Sequence, residues 1–289
     1  MNLFTRLKVF FKKYLSFFYK IIRVIFFPLY FKLYRNKKLQ KFVEPVFFKL
    51  NFLNISFEIL LDKKNGFVDE EIFANGIYEP EILQLYKKTI KPGDVCVDIG
   101  TNIGLHALFA SKLVGETGQV ICFEPIKSIF DQLSKSMDKN NMKNIIAHNK
   151  AIGQNPGKIN IYKNKNNMGA SSIALQKGDF TEEIEISNGS ELNNLSKINF
   201  IKIDTEGYEW EVIQAIDTHI IKYKPTILFE YTPLLYGDEI TQKIAILEYF
   251  ARNNYKMLDV EDNDREIKDA SIWYNNFKKI QTNILCIAK

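Results

Sequence analysis

Short apolar runs alternate with helical stretches along most of the chain. The apolar runs predict strands at residues 95–99, 119–123, 144–151, 200–203, 225–230, 255–260 and 283–288. Helical patterns stand between them and before the first one, at residues 77–90, 104–114, 126–140, 209–216 and 239–253. Strands that alternate with helices form a parallel sheet with helices on both faces. The pattern therefore predicts an α/β fold with a doubly wound, mostly parallel sheet of seven strands.

Two segments depart from this alternation. Residues 154–198 are rich in Asn, Gly, Ser and Lys, carry one strand-like piece at 158–162, and predict an insertion between the third and fourth strands. Such an insertion would lie over the sheet edge at which ligands bind in these folds. Residues 44–75 predict a small lead-in segment, with a strand pair and a turn at Asn65-Gly66. The main domain is then expected to span residues 76–289.

The first 43 residues form a basic amphipathic arm. They hold eleven of the 39 Lys and Arg residues and no Asp or Glu. Apolar residues at steps of three or four predict a helix with an aromatic face and a cationic face. Such a helix binds an anionic membrane surface, here through residues 1–41, so we expect a cytoplasmic protein held peripherally at the inner face of a membrane. Packing on the body or on a partner, and a single N-terminal membrane insertion, stay open as alternatives.

Charge, cysteine and histidine content exclude several classes of protein. The net charge of +5 arises in the arm, since the other residues hold 28 bases against 34 acids. An acidic body argues against a nucleic-acid partner. The three cysteines have no paired spacing, which predicts buried thiols and a reducing compartment. The three histidines lie far apart, which argues against a structural zinc site. Nothing in the sequence indicates an oligomeric state.

A glycine-rich turn follows the first predicted strand. Residues 95–104 read VCVDIGTNIG and bring together Asp98, Gly100, Thr101, Asn102 and Gly104. Glycine lets the backbone turn sharply and approach a ligand closely, and the following helix points free N–H groups at the same place. Glu124 ends the second strand 20 residues after Gly104, immediately before Pro125. An acid at that position accepts hydrogen bonds from both hydroxyls of a ribose, so the pattern predicts an adenosine-containing ligand.

The turn favours S-adenosylmethionine over a nicotinamide dinucleotide. Its glycine spacing, G-x-N-x-G, differs from the G-x-G-x-x-G of dinucleotide-binding folds. Asp98 would repel a pyrophosphate, whereas it would attract a sulfonium or an amino-acid ammonium. The alternative is a glycine turn and an exposed acid without any ligand.

Charged residues gather at the ends of the fourth and fifth predicted strands. Residues 201–209 read IKIDTEGYE and the fifth strand ends in FEY, which places Lys202, Asp204, Glu206 and Glu230 at one edge. Three acids and a lysine in one crevice are costly unless they bind a ligand, a metal or one another. We therefore expect one of these acids to act as a general base, with Lys202 orienting a carboxylate or an acceptor oxygen.

Two other interpretations of these charges stay open. A divalent metal on two of the acids would lower the pKa of an acceptor hydroxyl, but no diagnostic ligand spacing is present, so no metal site is predicted. Lys202 and Asp204 could instead form only a solvated ion pair, with Glu209 as a charge at a helix start.

These motifs resemble those of FkbM-type methyltransferases. VDIGTNIG, FEP twenty residues later, AIG at residues 151–153, FIKIDTEGYEWEVI and ILFEY occur in the order seen in that family. GIYEP at residues 76–80 is also similar, and the resemblance covers roughly residues 76–255. It implies a class I S-adenosylmethionine-dependent methyltransferase fold and, typically, methylation of hydroxyls on sugars or natural products.

The resemblance also implies roles for individual residues. Cofactor-binding positions would be Asp98, Gly100, Thr101, Asn102 and Gly104 around the methionine part, Glu124 and Pro125 at the ribose, and Ala151 and Ile152 near the adenine. Asp204 would lie near the methionyl amine or the acceptor. His106, one turn into the helix, is expected in a core or surface role. The acceptor is expected to be a small molecule or a glycan, and the arm favours a lipid-linked or surface glycan.

Functions of other kinds stay open from the sequence. A methyltransferase could act on a nitrogen of a protein or small amine, although the N-P-P-Y-like tetrapeptide often expected for such acceptors is replaced here by DTEG. An NAD-dependent dehydrogenase or epimerase, and a catalytically inactive membrane-attached module, are the alternatives from other classes.

Overall fold

The computed structural model describes residues 35–164, 167–173, 179–237 and 239–289. Residues 1–34 of the predicted arm lie outside the described residues. Its described end is helical at residues 35–39, and both Leu39 and Phe42 are buried. The ring of Phe42 stacks on that of Phe73, with 4.4 Å between the centroids. Residues 39–42 therefore belong to the packed body.

The lead-in starts with an antiparallel hairpin of β1 (Val46–Phe52) and β2 (Ile55–Leu61), as the sequence predicts. Its turn lies at Leu53 and Asn54, which both have positive φ, the conformation that matches the twist of paired strands. The predicted turn at Asn65-Gly66 is instead the end of a 3-10 helix. Two helices follow, α1 (Phe67–Asn75) and α2 (Pro80–Thr89).

The remaining strands divide between a main sheet and a smaller one. The main sheet begins with β3 (Val95–Ile99), β4 (Gln119–Phe123) and β5 (Ile145–His148). The smaller sheet consists of β6 (Ala151–Ile152), β7 (Gly157–Asn164), β8 (Asn167–Ser172) and β9 (Phe180–Ser187). The main sheet then continues with β10 (Phe200–Ile203), β11 (Thr226–Tyr231), β12 (Tyr255–Asp259), β13 (Arg265–Ile267) and β14 (Thr282–Ala288).

The main sheet has the order β13-β12-β14-β11-β10-β3-β4-β5. The five strands from β11 to β5 are parallel, and β14 runs antiparallel between β11 and β12. This order confirms the predicted doubly wound, mostly parallel α/β fold. The sheet has eight strands rather than seven, because the short β13 adds to its edge. Two of the three β13 residues are exposed, so no apolar run marks the strand in the sequence.

Helices cover both faces of the main sheet. One face carries α3 (Leu105–Val114) and α4 (Lys127–Lys139), with Leu108 and Leu133 in its core, and the other packs around Ile213 and Leu247. All five residues of β3 are buried because both faces of the strand are covered. The predicted helix at residues 209–216 is followed directly by a second short helix. The other described helices after β3 are α5 (Glu209–Ala215), α6 (Asp217–Tyr223), α7 (Ile240–Arg252) and α8 (Ala270–Asn276).

The predicted insertion contains most of the smaller sheet, whose order is β6-β9-β7-β8. The sequence predicts one strand there, at residues 158–162, whereas β8 and β9 also form. The predicted third strand at 144–151 is split, since β5 pairs with β4 and β6 pairs with β9. The side chain of Asn149 fixes this crossing, because its amide donates to the carbonyl oxygens of Glu124 and Pro125 at 2.9 Å each.

Two further expectations can be compared with the described residues. Cys96, Cys122 and Cys286 are buried free thiols, as predicted. Across the described ranges, no helix combines the length and the apolar character that crossing a membrane demands.

Candidate active site

A cavity of about 340 Å³ opens at the carboxyl ends of β3, β4, β10 and β11. The chain order reverses here, because β4 lies on one side of β3 and β10 on the other. Open α/β sheets bind ligands at such switch points. All the predicted site residues except Asp98 and Gly104 line the cavity, namely Gly100, Thr101, Asn102, Glu124, Pro125, Ala151, Ile152, Lys202, Asp204, Glu206 and Glu230.

The glycine turn is fixed by its two neighbouring strands. The backbone amides of Gly100 and Thr101 both donate to the carbonyl oxygen of Phe123 at 3.0 Å. On the other side, the amide of Asp204 donates to the carbonyl oxygen of Ile99 at 3.0 Å. Gly100 has φ +80, and a Cβ there would lie 2.8 Å from the carbonyl carbon of Asp204 and closer still to its oxygen. Glycine is therefore required by both the conformation and the close approach.

Gly104 starts α3 beneath this turn. It has φ +91, and a Cβ there would run into the side chain of Leu133 on α4. Gly104 thus lets two helices pack closely under the cavity rather than facing a ligand. This explains why a glycine of the motif does not line the cavity.

Glu124 is held at the cavity by the backbone of two loops. Its Oε2 accepts from the amide of Asn102 at 2.9 Å, and its Oε1 accepts from the amide of Ile126 at 2.8 Å. Asn102 adopts φ +53, which directs its amide toward the carboxylate. Burial raises the pKa of Glu124 to about 7, although these two amides oppose the shift. Each carboxylate oxygen has a second lone pair, so both can still accept from a diol.

Asp98 lies one strand position before the cavity and faces Lys202. The two residues are register partners on β3 and β10. Asp98 is 4% exposed, and neither of its carboxylate oxygens has a hydrogen-bond partner. Burial raises its pKa to about 6, against the opposing charge of the Lys202 ammonium. A buried carboxylate with two unpartnered oxygens is suited to a cationic ligand.

Three carboxylates meet at the far end of the cavity. Asp204, Glu206 and Glu230 each bring an oxygen to within 4.8 Å of the others. Lys202 donates to Asp204 at 2.8 Å, with the lysine side chain 5% exposed. Gln281, a cavity residue that the sequence did not indicate, donates to Glu230 at 2.8 Å. Carboxylate oxygens at this spacing could also ligate a divalent cation, the option that the sequence left open.

The shared negative charge changes how these acids titrate. Burial, followed by the charge of Asp204, raises the pKa of Glu206 to about 8 and that of Glu230 to about 10. Burial and the neighbouring charge therefore disfavour the state in which all three groups are ionised at once. Carboxyl groups with such raised pKa values are suited to accepting or donating a proton during a reaction.

Glu209 stabilises the turn that carries these acids. Its Oε1 accepts from the amide of Thr205 at 2.8 Å, from the Thr205 hydroxyl at 3.0 Å and from the amide of Gly207 at 3.2 Å. Glu206, between them, has φ +54. Glu209, which the sequence offered as a possible charge at a helix start, is therefore fully buried and holds this loop in place through its hydrogen bonds.

The structure brings Tyr78 and His106, from the first half of the chain, to the cavity wall. Glu79 does not line the cavity, but its Oε2 lies 3.3 Å from Nε2 of His106. The sequence pattern assigned Glu79 to the first turn of a predicted helix and gave His106 no site role. The signal for Glu79 was the GIYEP segment, which recurs in the family that the motifs resemble.

In the main sheet the antiparallel β14 lies between β11 and β12, and the cavity lies at the switch point of the parallel strands. Residues 98–257 match the family model described as the methyltransferase FkbM domain. The match covers more than half of the chain, which therefore belongs to this family.

Two curated relatives are similar to this chain. Methyltransferase 1 of Beauveria bassiana is 23% identical over 175 residues, which are 52% of this chain and 67% of that protein. Hexuronic acid methyltransferase AglP of Haloferax volcanii is 27% identical over 141 residues, which are 48% of this chain and 56% of that protein. The match with AglP thus spans less than two thirds of that protein's length. Among solved structures, a putative rRNA-methylase from Clostridium thermocellum has a TM-score of 0.46 and 14% identity, covering 72% of this chain and 93% of that one.

Proposed function

We propose that this protein is an S-adenosylmethionine-dependent methyltransferase acting on a hydroxyl group of a sugar, a glycan or a related natural product. The observation that carries the proposal is that two groups of polar residues line the same cavity. Glu124 is held at one end by the amide of Asn102, and Lys202 bonds to Asp204 at the other. Methyl transfer to oxygen needs such a donor site next to a proton acceptor.

The residues present fit S-adenosylmethionine. The unpartnered oxygens of Asp98 suit the cationic amino-acid end, and the open lone pairs of Glu124 suit the ribose diol. Ala151 and Ile152 offer an apolar wall for the adenine. Around the methionine part and the ribose, the supporting backbone would come from Gly100, Thr101, Asn102 and Pro125, all of which line the cavity. When bound, the cofactor supplies an electrophilic methyl group on a sulfonium.

The protein's own residues position the acceptor and take its proton. Lys202 fixes the carboxylate of Asp204, so that the three-acid cluster presents oxygens in a defined place. The acceptor hydroxyl donates its hydrogen to Asp204, Glu206 or Glu230. As the new O–CH3 bond forms, the O–H proton passes to that carboxylate, leaving the acceptor as a methyl ether and the donor as a neutral thioether.

Apolar side chains form part of the cavity lining. Phe67 and Val68 of α1 line one side of the cavity, and Ile161 and Ile173 of the insertion line another. Apolar lining lowers the local dielectric constant, which strengthens the electrostatic interaction of Lys202 with Asp204. The insertion therefore contributes apolar surface to the cavity.

A glycan acceptor is supported by the relative named for a hexuronic acid. That relative makes a sugar hydroxyl a better candidate than an amine, and membership in the methyltransferase family favours methyl transfer over nicotinamide chemistry. An N-methyl acceptor and an inactive module are the alternatives that an activity assay decides between.

Calorimetry with the purified full chain tests the cofactor. S-adenosylmethionine and S-adenosylhomocysteine should bind, and NAD should not. Incubation with methyl-labelled S-adenosylmethionine and glycan or lipid extracts should then give a product whose mass rises by one methylene for each transfer. Absence of binding by both adenosyl ligands would refute the proposal. Label recovered only on amines would replace the oxygen acceptor.

We also propose that the protein acts at the inner, cytoplasmic face of an anionic membrane, on a lipid-linked or surface glycan. The support is the sequence of the arm, with eleven basic residues and an amphipathic pattern before the first acid at Glu44. Cosedimentation with phosphatidylserine and phosphatidylcholine vesicles should show salt-sensitive binding to the anionic ones. Deletion should stop before residue 35, because Leu39 and Phe42 are part of the body. Equal binding after deletion of residues 1–34 would contradict the proposal.

A further inference from the structure

The loop that carries Asp204 and Glu206 has a backbone conformation that a side chain does not favour. Glu206 adopts φ +54, and the next residue, Gly207, adopts φ +97. A residue with a side chain persists in the left-handed region only where surrounding contacts hold it there, and such positions cluster at functional sites. The loop therefore needs contacts that hold Glu206 in this conformation.

One buried side chain makes those contacts. Oε1 of Glu209, the first residue of α5, accepts from the amides of Thr205 and Gly207 at 2.8 and 3.2 Å, and from the Thr205 hydroxyl at 3.0 Å. These two donors' residues stand immediately before and after Glu206. Glu209 is fully buried and does not line the cavity. Its carboxylate would therefore act on a bound acceptor through the loop rather than by contact.

The same loop packs against the segment that follows Glu230. A Cβ on Gly207 would lie 2.6 Å from the Cβ of Leu235, in the short 3-10 turn after β11. The hydroxyl of Tyr236 donates to the carbonyl oxygen of Glu230 at 3.1 Å. Burial, followed by the charge of Glu209, raises the pKa of Tyr236 well above its ordinary value, so the hydroxyl stays protonated as the donor of this bond. The position of Gly207 therefore also sets how the loop meets the backbone around Glu230.

We propose that Glu209 is the positioning residue of the three-acid cluster. By holding the amides on both sides of Glu206, it keeps the carboxylates of Asp204 and Glu206 within reach of Glu230, so that all three oxygens lie within 4.8 Å of one another. The inference rests on the proposed function, because it takes the cluster to receive the proton of the acceptor hydroxyl. A shift of about 1 Å in a reacting group can slow a reaction about 100-fold. Turnover should therefore depend on the reach of the Glu209 side chain.

Two reciprocal substitutions separate the reach of this side chain from its charge. Glu209→Gln keeps the length and an accepting oxygen, and its NH2 group takes the place of Oε2, which has no hydrogen-bond partner. Glu209→Asp keeps the charge but is one methylene shorter, so it cannot accept from both amides at once. With methyl-labelled S-adenosylmethionine and the extract that the wild type methylates, Glu209→Asp should lower turnover at least tenfold, and Glu209→Gln should lower it no more than threefold.

Glu211→Gln is the matched control, because Glu211 is an acid in the first turn of the same helix and does not line the cavity. It should keep normal turnover. Calorimetry with S-adenosylhomocysteine separates positioning from a defect of the fold, since both Glu209 variants should bind this ligand within twofold of the wild type. Turnover is then counted per donor-binding site.

Hydrogen exchange of the amides at residues 204–208 follows the loop directly. Exchange should be faster in Glu209→Asp and unchanged in Glu209→Gln, because only the shorter side chain loses contact with the amides of Thr205 and Gly207. If Glu209→Asp bound no ligand, Thr205→Val would replace it, since it removes only the hydroxyl donor to Glu209. A two- to fivefold loss of turnover is expected for that variant.

Wild-type turnover in Glu209→Asp, or in Thr205→Val where it replaces that variant, would overturn the assignment of Glu209. A loss in Glu209→Gln as large as that in Glu209→Asp would also overturn it, because the effect would then follow the charge and not the reach. Failure of the wild type to methylate any extract would instead refute the proposed function. Loop exchange would still show whether Glu209 holds the loop, and equal exchange in the wild type and Glu209→Asp would overturn the inference.

Discussion

The α-carbon of Gly100 packs against the carbonyl group of Asp204, so the glycine turn after β3 and the acidic loop after β10 are in direct backbone contact. A Cβ at position 100 would lie 2.8 Å from the carbonyl carbon of Asp204. The amide of Asp204 in turn bonds to Ile99. The glycine turn and the acidic loop are therefore joined by both a backbone hydrogen bond and a close backbone contact.

Gly100→Ala should both destabilise the protein and abolish adenosyl-ligand binding, because the new methyl group meets backbone that cannot rotate away. Gly76→Ala is the matched control: Gly76 has φ +87, but a Cβ there meets nothing within 4 Å. That variant should lose only about 1–2 kcal/mol for its left-handed conformation. Urea unfolding and calorimetry measure both effects, and equal losses in the two variants would contradict the close contact.

Glu124→Gln should weaken S-adenosylhomocysteine more than tenfold. The carboxamide replaces one accepting oxygen by an NH2 group, which must face the amide of Asn102 or Ile126 and cannot accept from a ribose hydroxyl. Glu116→Gln, an exposed substitution, is the control. Adenine-containing ligands without a ribose should bind both variants alike. An unchanged affinity of Glu124→Gln for S-adenosylhomocysteine would remove Glu124 from the donor site.

Asp204→Asn and Glu230→Gln should lower kcat at least about 100-fold, the usual contribution of a positioned general base, while the folded proteins still bind S-adenosylhomocysteine. Glu266→Gln, an exposed acid on β13, should keep normal turnover. Methyl transfer from labelled donor measures the rate. Near-normal turnover in both cluster variants would show that neither acid is the base.

Asp69 should make the stability of the wild-type protein fall as pH rises. Its buried Oδ1 accepts from the amide of Asp62 at 2.7 Å and from Gln132 at 2.6 Å, and burial raises its pKa from 3.8 to about 7. The folded state then binds the Asp69 proton more tightly than the unfolded state. Stability from this group is present below pH 4 and is lost between about pH 4 and pH 7.

The variant Asp69→Asn isolates this effect, because other buried acids titrate alike in both proteins. Urea unfolding at pH 4.5, 6 and 7.5 should show that the variant loses less free energy of unfolding than the wild type as pH rises. Parallel curves would mean that Asp69 titrates normally.

The sequence determined the alternation of strands and helices, the glycine turn with Glu124, and the acids at the ends of β10 and β11. The strands and helices follow from the local periodicity of apolar residues. The motif residues gather at one edge because parallel strands all end at the same edge of the sheet. The sequence pattern did not indicate β13 or the β8 and β9 strands of the insertion. Exposed or charged residues interrupt any apolar run in β9 and β13, and small polar residues dominate β8.

Only the tertiary structure decided which distant residues meet. The register of β3 with β10 sets Asp98 against Lys202, and the left-handed backbone at Glu79 brings its carboxylate to His106. No spacing along the chain encodes these contacts, because each depends on how a loop or strand packs against an element far away in sequence. Burial at those contacts then shifts the pKa values of Asp98 and His106.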